Sequence, residues 1–389
     1  MNLILNAVAL RVGGGLTVGL NVIRHVSVVA PDDRFIVLAS PGVGYEDCAA
    51  PNVQVRTFDW PAYGPLRQLR FLNRVVPVLC HQHKASALFS MGNFATLRAP
   101  VPQLVLFHKA HFVWDGRLRH ILPDFRDRLR HRLERLYFRY AIRSCSVAAQ
   151  TEAMRQSLLR IYALRPEQVH VVPNAPNRAV EPDAAPGEPA LKMAALSRSP
   201  RLLFYLAAYY PHKNVEILEQ VVARLEALGI EDFAVVTTIA PEQGDRAARF
   251  LARMHRYAAS PNPRFLNLGP VPLPQVPHCF AQSWACLMPT LLESFSGTYL
   301  EAMSAGCPIL TSDRDFAREV CGDAALYFDP LDAESIVHAI LRLRGEPGLR
   351  QRLIEAGRRR FQQHLPSWAD VTARYVGLLR QIAAAPATF

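Results

Sequence analysis

Residues 289 to 313 read PTLLESFSGTYLEAMSAGCPILTSD and set Glu293 and Glu301 around Ser296, Gly297 and Thr298. Trp284 to Met288 reads as a buried strand ending at Pro289, LLESFSG as the loop that follows, and Thr298 as the start of a helix. Glu293 then lies level with the helix mouth and Glu301 about one turn inside. The N–H groups of Ser296, Gly297 and Thr298 would form a cradle for an anion. Carboxylates accept hydrogen bonds from sugar hydroxyls, and the helix terminus offsets phosphate charge. A second stretch, FYLAAYYPHKNVEIL (204–218), places Lys213 after a strand and ahead of a helix expected from Asn214. A lysine there supplies a compact phosphate-binding charge. A surface lysine with Asn214 capping the helix is the plainer alternative. A ligand with hydroxyls at both ends and a diphosphate between them fits the combination, and a nucleotide sugar has that shape.

The opening loop RVGGGLTVGLNV carries Gly13, Gly14, Gly15 and Gly19. It fits a loosened dinucleotide fingerprint at the mouth of a helix, but the second strand ends VLASP, without the acidic residue a nicotinamide enzyme needs. We read Gly13, Gly14 and Gly15 as a floor beneath a bound phosphate or sugar; a tight turn without ligand is the alternative. Asp313-x-Asp315 resembles a metal-binding pair but falls late in the chain, and a solvated loop after a strand explains it more simply. His81-x-His83 and His108-x-x-His111 lack carboxylates at metal-ligand spacing, so neither metal nor cofactor is expected.

These residues need elements to hold them. Short apolar runs alternate with longer amphipathic ones. Strands are expected at Leu3–Leu10, Phe35–Ser40, Ala87–Ser90, Leu104–His108, Ser146–Ala149 and Val169–Val172. Helices are expected at Thr17–Val29, Leu66–His83, Phe125–Arg143 and Glu152–Tyr162. After a proline-rich linker (173–190), strands are expected at Leu202–Leu206, Ala234–Ile239, Phe265–Leu268, Ala285–Met288, Pro308–Thr311 and Ala325–Phe328. Helices follow at Asn214–Leu228, Pro241–Ala258, Ala333–Arg344, Gly348–His364 and Ser367–Ala383. The βαβ rhythm implies two parallel-sheet α/β halves, spanning 1–178 and 179–366, with a terminal helical segment at 367–389. Such sheets bind ligands at the carboxyl ends of their strands.

The 389 residues carry 44 Lys and Arg against 33 Asp and Glu, a formal charge of +11 that favours an anionic partner. Nothing resembles a recognition helix, zinc finger or stacking platform, which argues against nucleic acid. Seven cysteines, none in a CxxC pair, read as reduced core thiols of a cytoplasmic protein. No signal peptide or apolar run long enough to span a bilayer is visible.

In order along the chain, VHVVPNAPN, YYPHKNVEIL, FLNLGPV, PTLLESFSGTYLEAMSAGCPILTSD and REVCGDAALYFDP, with the Gly13–Gly15 loop and LVLFHKAH upstream, resemble one family. It is that of the retaining nucleotide-sugar glycosyltransferases of the two-domain GT-B type, in particular glycosyltransferase family 4. The resemblance implies two Rossmann-like domains facing each other across a cleft, with the last helix crossing back onto the first. It implies that Lys213 meets the donor diphosphate, Glu293 the transferred sugar and Glu301 the ribose hydroxyls. Amides from Phe295 to Gly297 would contact the sugar and distal phosphate, and His108 would reach the reacting sugar. Many members carry an arginine five residues before the lysine, where this chain has Ala208.

The activity so implied is sugar transfer from a nucleoside diphosphate to an acceptor hydroxyl, with retention and without a metal; the nucleotide sugar is a co-substrate. A two-lobed sugar phosphorylase or a nucleotide-sugar epimerase is the enzymatic alternative, and a basic nucleic-acid binder the non-enzymatic one. Residues 111–143 carry nine arginines against four acidic side chains, with Leu129, Leu133, Leu136 and Tyr140 on one helical face. This segment either rests on an anionic bilayer, which would suit a lipid-linked saccharide acceptor and a place on the inner face of the plasma membrane, or is a surface helix packed by its leucines.

Overall fold

The computed structural model describes the chain except residues 60–64, 115–120, 123, 177–184, 197–199, 261, 364–365 and 386–389. The chain divides into two compact units. The first comprises 1–116, 124–175 and 366–389, and the second 117–123 and 176–365.

In the first unit, β1 (Asn2–Asn6), β2 (Arg34–Ala39), β3 (Val53–Thr57), β4 (Ala87–Ser90), β5 (Gln103–Leu106), β6 (Ser146–Ala149) and β7 (Val169–Val171) form one sheet. Their order is β3-β2-β1-β4-β5-β6-β7 and every pairing is parallel. In β1, Ile4 pairs with Ile36 on one side and Leu88 on the other, and Leu3, Ile4 and Leu5 are all buried. Uninterrupted apolar strands arise because helices cover both faces. The helix Trp368–Ala384 belongs to this unit: Val371, Tyr375, Val376 and Leu379 are buried in its core. The Tyr375 ring lies 5.0 Å from that of Phe89, and Arg380 bonds the buried Asp33 at 2.9 Å. Ser367 and Asp370 cap its start reciprocally.

In the second unit, β8 (Arg201–Tyr205), β9 (Phe233–Thr237), β10 (Phe265–Asn267), β11 (Ala285–Met288), β12 (Ile309–Ser312) and β13 (Ala325–Phe328) form a parallel sheet of order β10-β9-β8-β11-β12-β13. In both sheets the chain winds one way from the first strand and then returns to wind the other way. The reversal falls between β1 and β4 in one and between β8 and β11 in the other. That switch point opens a crevice at the strands' carboxyl ends.

Several elements depart from expectation. β3, sequence VQVRT, is an edge strand with few apolar residues and was not anticipated. The expected helix Leu66–His83 is interrupted by a π turn at Phe71–Val75, since Pro77 lacks the N–H that would continue the ladder. The expected linker ends earlier, in a helix at Glu188–Leu196. Short helices also occupy Val276–Ala281 and Asp315–Cys321. All seven cysteines are free and buried. Among the described residues, no helix is long and apolar enough to cross a membrane.

Candidate functional site

The two strands that flank the switch point of the second sheet carry the two groups that meet. The segment after β8 turns through a short 3-10 helix, Pro211–Lys213, and the segment after β11 runs from Pro289 to Ser296. Lys213 Nζ donates to Glu293 Oε1, with only 17% and 14% of the two side chains exposed. The two loops are stitched together behind this pair. Leu291 N donates to His212 O at 2.8 Å and Thr290 Oγ1 to the same oxygen at 3.2 Å. The buried Tyr205 hydroxyl donates to Lys213 O at 2.7 Å. Asn214 takes the left-handed conformation, with φ at 55°, and its side-chain amide donates to the carbonyls of Pro289 (3.1 Å) and Pro330 (2.6 Å). Asn214 therefore does not cap the next helix, which starts at Ile217. It is a clamp that holds Lys213 over Glu293.

The helix Gly297–Ser304 begins one residue earlier than expected, with Ser296 as its N-cap. The Ser296 side chain makes no capping bond, and the first turn holds no acidic residue. Among the described residues, the amides of Gly297 and Thr298 have no acceptor. Among the described residues, a Cβ built at Gly297 meets nothing within 4 Å, so no side chain crowds this glycine. Unsatisfied N–H groups at the positive end of a helix attract an anion. Phe295 packs against the core and leaves its backbone at this mouth. Glu301 lies one turn in, half-buried, and no hydrogen bond or ion pair holds its carboxylate among the described residues. Burial pushes its pKa up to about 7. A carboxylate kept part-desolvated without a partner costs stability, and hydrogen-bond donors on a ligand would relieve that cost.

Ala208, in the loop between Ala207 and Tyr210, supplies no charge beside Lys213. Arg246, whose Nε lies 3.3 Å from the hydroxyl of the neighbouring Tyr209, is committed elsewhere: its Nη2 bonds Glu216 Oε1 at 2.8 Å. Asp313 is held by Arg318 through bonds of 2.5 and 2.9 Å, and Asp315 opens the helix Asp315–Cys321 rather than lying in a loop. Among the described residues, no three His, Cys, Asp or Glu side chains cluster as a metal site would require.

The first unit places its own candidates together. Gly13, at φ +60°, and Gly14 open the helix Gly13–Val29, whose N-cap Val12 makes no side-chain bond. Among the described residues nothing lies within 4 Å of a Cβ at either glycine, while one at Gly15 would come 3.2 Å from Leu10 Cδ2 and 4.0 Å from His108 Cε1. Gly19 has a packing reason instead, since its Cβ would fall 2.2 Å from the Tyr45 hydroxyl. His108 follows β5, and its N–H, like that of Lys109, donates to Asn93 Oδ1, at 2.7 and 2.8 Å. Burial lowers the His108 pKa to about 4, so the imidazole is neutral at physiological pH. Asn93 and Asn214 are both asparagines at positive φ; Asn93 was missed in the sequence, and Asn214 was read there only as a helix cap. The one available signal was an asparagine shortly after a strand, beside a candidate charge or turn.

Two family models match the chain. The one described as glycosyl transferases group 1 matches residues 192–360, and the one described as a glycosyl transferase 4-like domain matches residues 22–175. Among curated proteins, the chain is 32% identical over 109 residues to O-antigen chain mannosyltransferase B of Escherichia coli, covering 28% of each. It is 26% identical over 237 residues to the MMP alpha-(1->4)-mannosyltransferase of Mycolicibacterium hassiacum, covering 59% of this chain and 52% of that one. The matches thus span about half or less of these relatives' lengths. Among solved structures, sucrose-phosphate synthase from Thermosynechococcus elongatus superposes with a TM-score of 0.72 at 17% identity, over 99% of this chain and 100% of that one. Anabaena HepE, solved with UDP-glucose, gives 0.73 at 15%, over 98% and 100%. These two likenesses establish the fold.

Proposed function

Because the chain belongs to the group 1 glycosyltransferases, we propose that it moves a sugar from a nucleoside-diphosphate sugar to a hydroxyl of a saccharide acceptor, with retention at the anomeric carbon. The observation that carries this reading is the set of groups at the second unit's switch point. Lys213 meets Glu293 in the loop that leads into the helix Gly297–Ser304; among the described residues two amides at that helix start have no acceptor, and Glu301, one turn inside, has no partner.

Breaking the sugar–phosphate bond puts negative charge on the departing diphosphate and positive character on the sugar. Lys213 and the Gly297 and Thr298 amides offset the first, and Glu293 faces the second. Charge fixed in advance at those positions is the largest catalytic lever the fold offers. Lys213 is held by its ion pair with Glu293, so the arriving diphosphate meets a cation already in place. Glu301 accepts hydrogen bonds from the ribose hydroxyls. His108, in the first unit, is a neutral imidazole that offers a hydrogen bond without adding charge. The acceptor attacks from the leaving-group side, and a diphosphate oxygen takes its proton, so no protein base and no metal is needed. The names of the two curated relatives favour mannose as the transferred sugar and a polysaccharide as the product.

The test is incubation with GDP-mannose, UDP-glucose and related donors, with and without saccharide acceptors. Acceptor-dependent release of the nucleoside diphosphate supports transfer. Donor interconversion without acceptor would instead reveal an epimerase, and consumption of inorganic phosphate a phosphorylase. Lys213→Ala and Glu293→Ala should each lower kcat/KM by about a hundredfold or more while the circular dichroism spectrum is unchanged. Near-normal turnover in either variant removes that residue from the site.

A further inference from the structure

The helix Phe125–Ala141 turns its leucines outward. Phe125, Leu129, Leu133, Leu136 and Tyr140 are 70%, 49%, 63%, 60% and 65% exposed, which rules out a helix packed by its leucines. At 3.6 residues per turn they fall within an arc of about 80°. The opposite face is the one buried: Phe138 lies 5.0 Å, ring to ring, from Phe107, and His131 and Ala141 are buried beside it. Water-exposed leucines in a continuous stripe are a feature that a folded chain does not need for its own core.

Arginines flank the stripe. Arg132 and Arg139 lie along one side and Arg126 on the other, and Arg143 follows beyond the helix end with its guanidinium over the Tyr140 ring, all exposed. No carboxylate pairs with any of them among the described residues. The acidic residues of the helix, Asp127 and Glu134, point the other way by the same helical spacing, and Glu134 is already bonded by Lys109 and Arg130. The outward surface is therefore apolar along its middle and purely cationic at its edges.

We infer that this face docks on an anionic lipid bilayer, with the Phe125–Tyr140 stripe in the headgroup–acyl boundary and the arginines against lipid phosphates. Charge complementarity selects this occupant. A second copy would set these arginines against its own like charges, whereas a basic rim around Leu, Phe and Tyr is what an acidic membrane surface attracts. The helix is tied to the loop that carries His108, because Lys109 bonds Glu134 and lies over the Phe112 ring at 4.8 Å. The bilayer contact is a separate claim from the chemistry. Where the transferase reading also holds, the same tie would favour an acceptor saccharide carried on a lipid.

The test is flotation of the full chain with phosphatidylcholine vesicles, with and without phosphatidylglycerol. Binding is expected only with phosphatidylglycerol and should weaken as salt is raised. Leu133→Ser/Leu136→Ser should lower it about tenfold and Arg132→Glu/Arg139→Glu about a hundredfold, with folding unchanged because these side chains are exposed. Both variants should keep normal turnover on a short water-soluble acceptor, so loss of docking is distinguishable from loss of chemistry. Equal, negligible binding to both vesicle types overturns the inference, as does full binding by both variants. A dimer in light scattering that Leu133→Ser/Leu136→Ser dissolves, without vesicle binding, assigns the face to a second copy instead.

Discussion

Replacing Glu301 with Gln should make the protein more stable and a poorer catalyst at once. Burial raises the Glu301 carboxyl from its ordinary 4.5 to about 7. The neutral form is thus favoured in the folded state, and folding binds more protons than unfolding between those two values. Stability conferred by the native environment falls as pH rises from about 4.5 and is fully lost above about 7. At 1.36 kcal/mol per pH unit, the ionised carboxylate costs about 3 kcal/mol at pH 8. Gln keeps the shape and cannot ionise, so its gain is close to zero at pH 4 and near its maximum at pH 8. For a unit of this size that corresponds to roughly 6–12 °C in Tm at pH 8. Thermal melts of both proteins from pH 4 to 8 read the stability arm. The other arm is donor affinity, because an amide cannot accept two ribose hydroxyls as a carboxylate does; a loss of about tenfold or more is expected. A variant with an unchanged or lower Tm at pH 8 would refute the desolvation argument. A stabilised variant with undiminished nucleotide affinity would refute the assignment of Glu301 to the donor.

Asn214→Ala should lower stability by about 2–4 kcal/mol and turnover by more than tenfold, since it removes two loop bonds and a residue suited to positive φ. Asn214→Gly restores only the backbone, so melts should show it between Ala and wild type, with turnover still impaired. Gly19→Ala should cost about 2–3 kcal/mol by driving the Tyr45 hydroxyl from the Leu10 carbonyl, visible as a lower denaturation midpoint with donor affinity intact. In Glu301→Gln the turnover profile should be flat from about pH 6 to 8, because His108 stays neutral throughout. A limb in that range that vanishes on His108→Gln would overturn its assignment as an uncharged group.

The parallel-sheet architecture was legible because buried strands such as ACLM and ILTS are short, apolar and separated by amphipathic helices. β3 escaped because an edge strand pairs on one side only and tolerates Gln54 and Arg56. Glu188–Leu196 was hidden by the proline-rich run before it, and Asp315–Cys321 by its brevity. At the site, residue types and spacing were enough to nominate Lys213, Glu293 and Glu301. They gave no access to the loop geometry, where one asparagine in an unusual backbone conformation fixes the lysine. The helix Phe125–Ala141 shows a sharper limit. Periodicity located one apolar face, of Leu and Tyr; the face that meets the core, of Phe138 and Ala141, was not read from the sequence, because its partner Phe107 lies outside the segment.

The membership of Trp368–Ala384 in the first unit bears on how the polypeptide matures on the ribosome. The segment that seals Phe89 and Asp33 is translated only after the entire second unit has emerged. During that interval the first unit exposes the apolar ground that Val371, Tyr375 and Leu379 will later cover, which invites chaperone capture or aggregation. Expression of residues 1–175 alone should yield insoluble material, and supplying 366–389 on a second chain should rescue part of it.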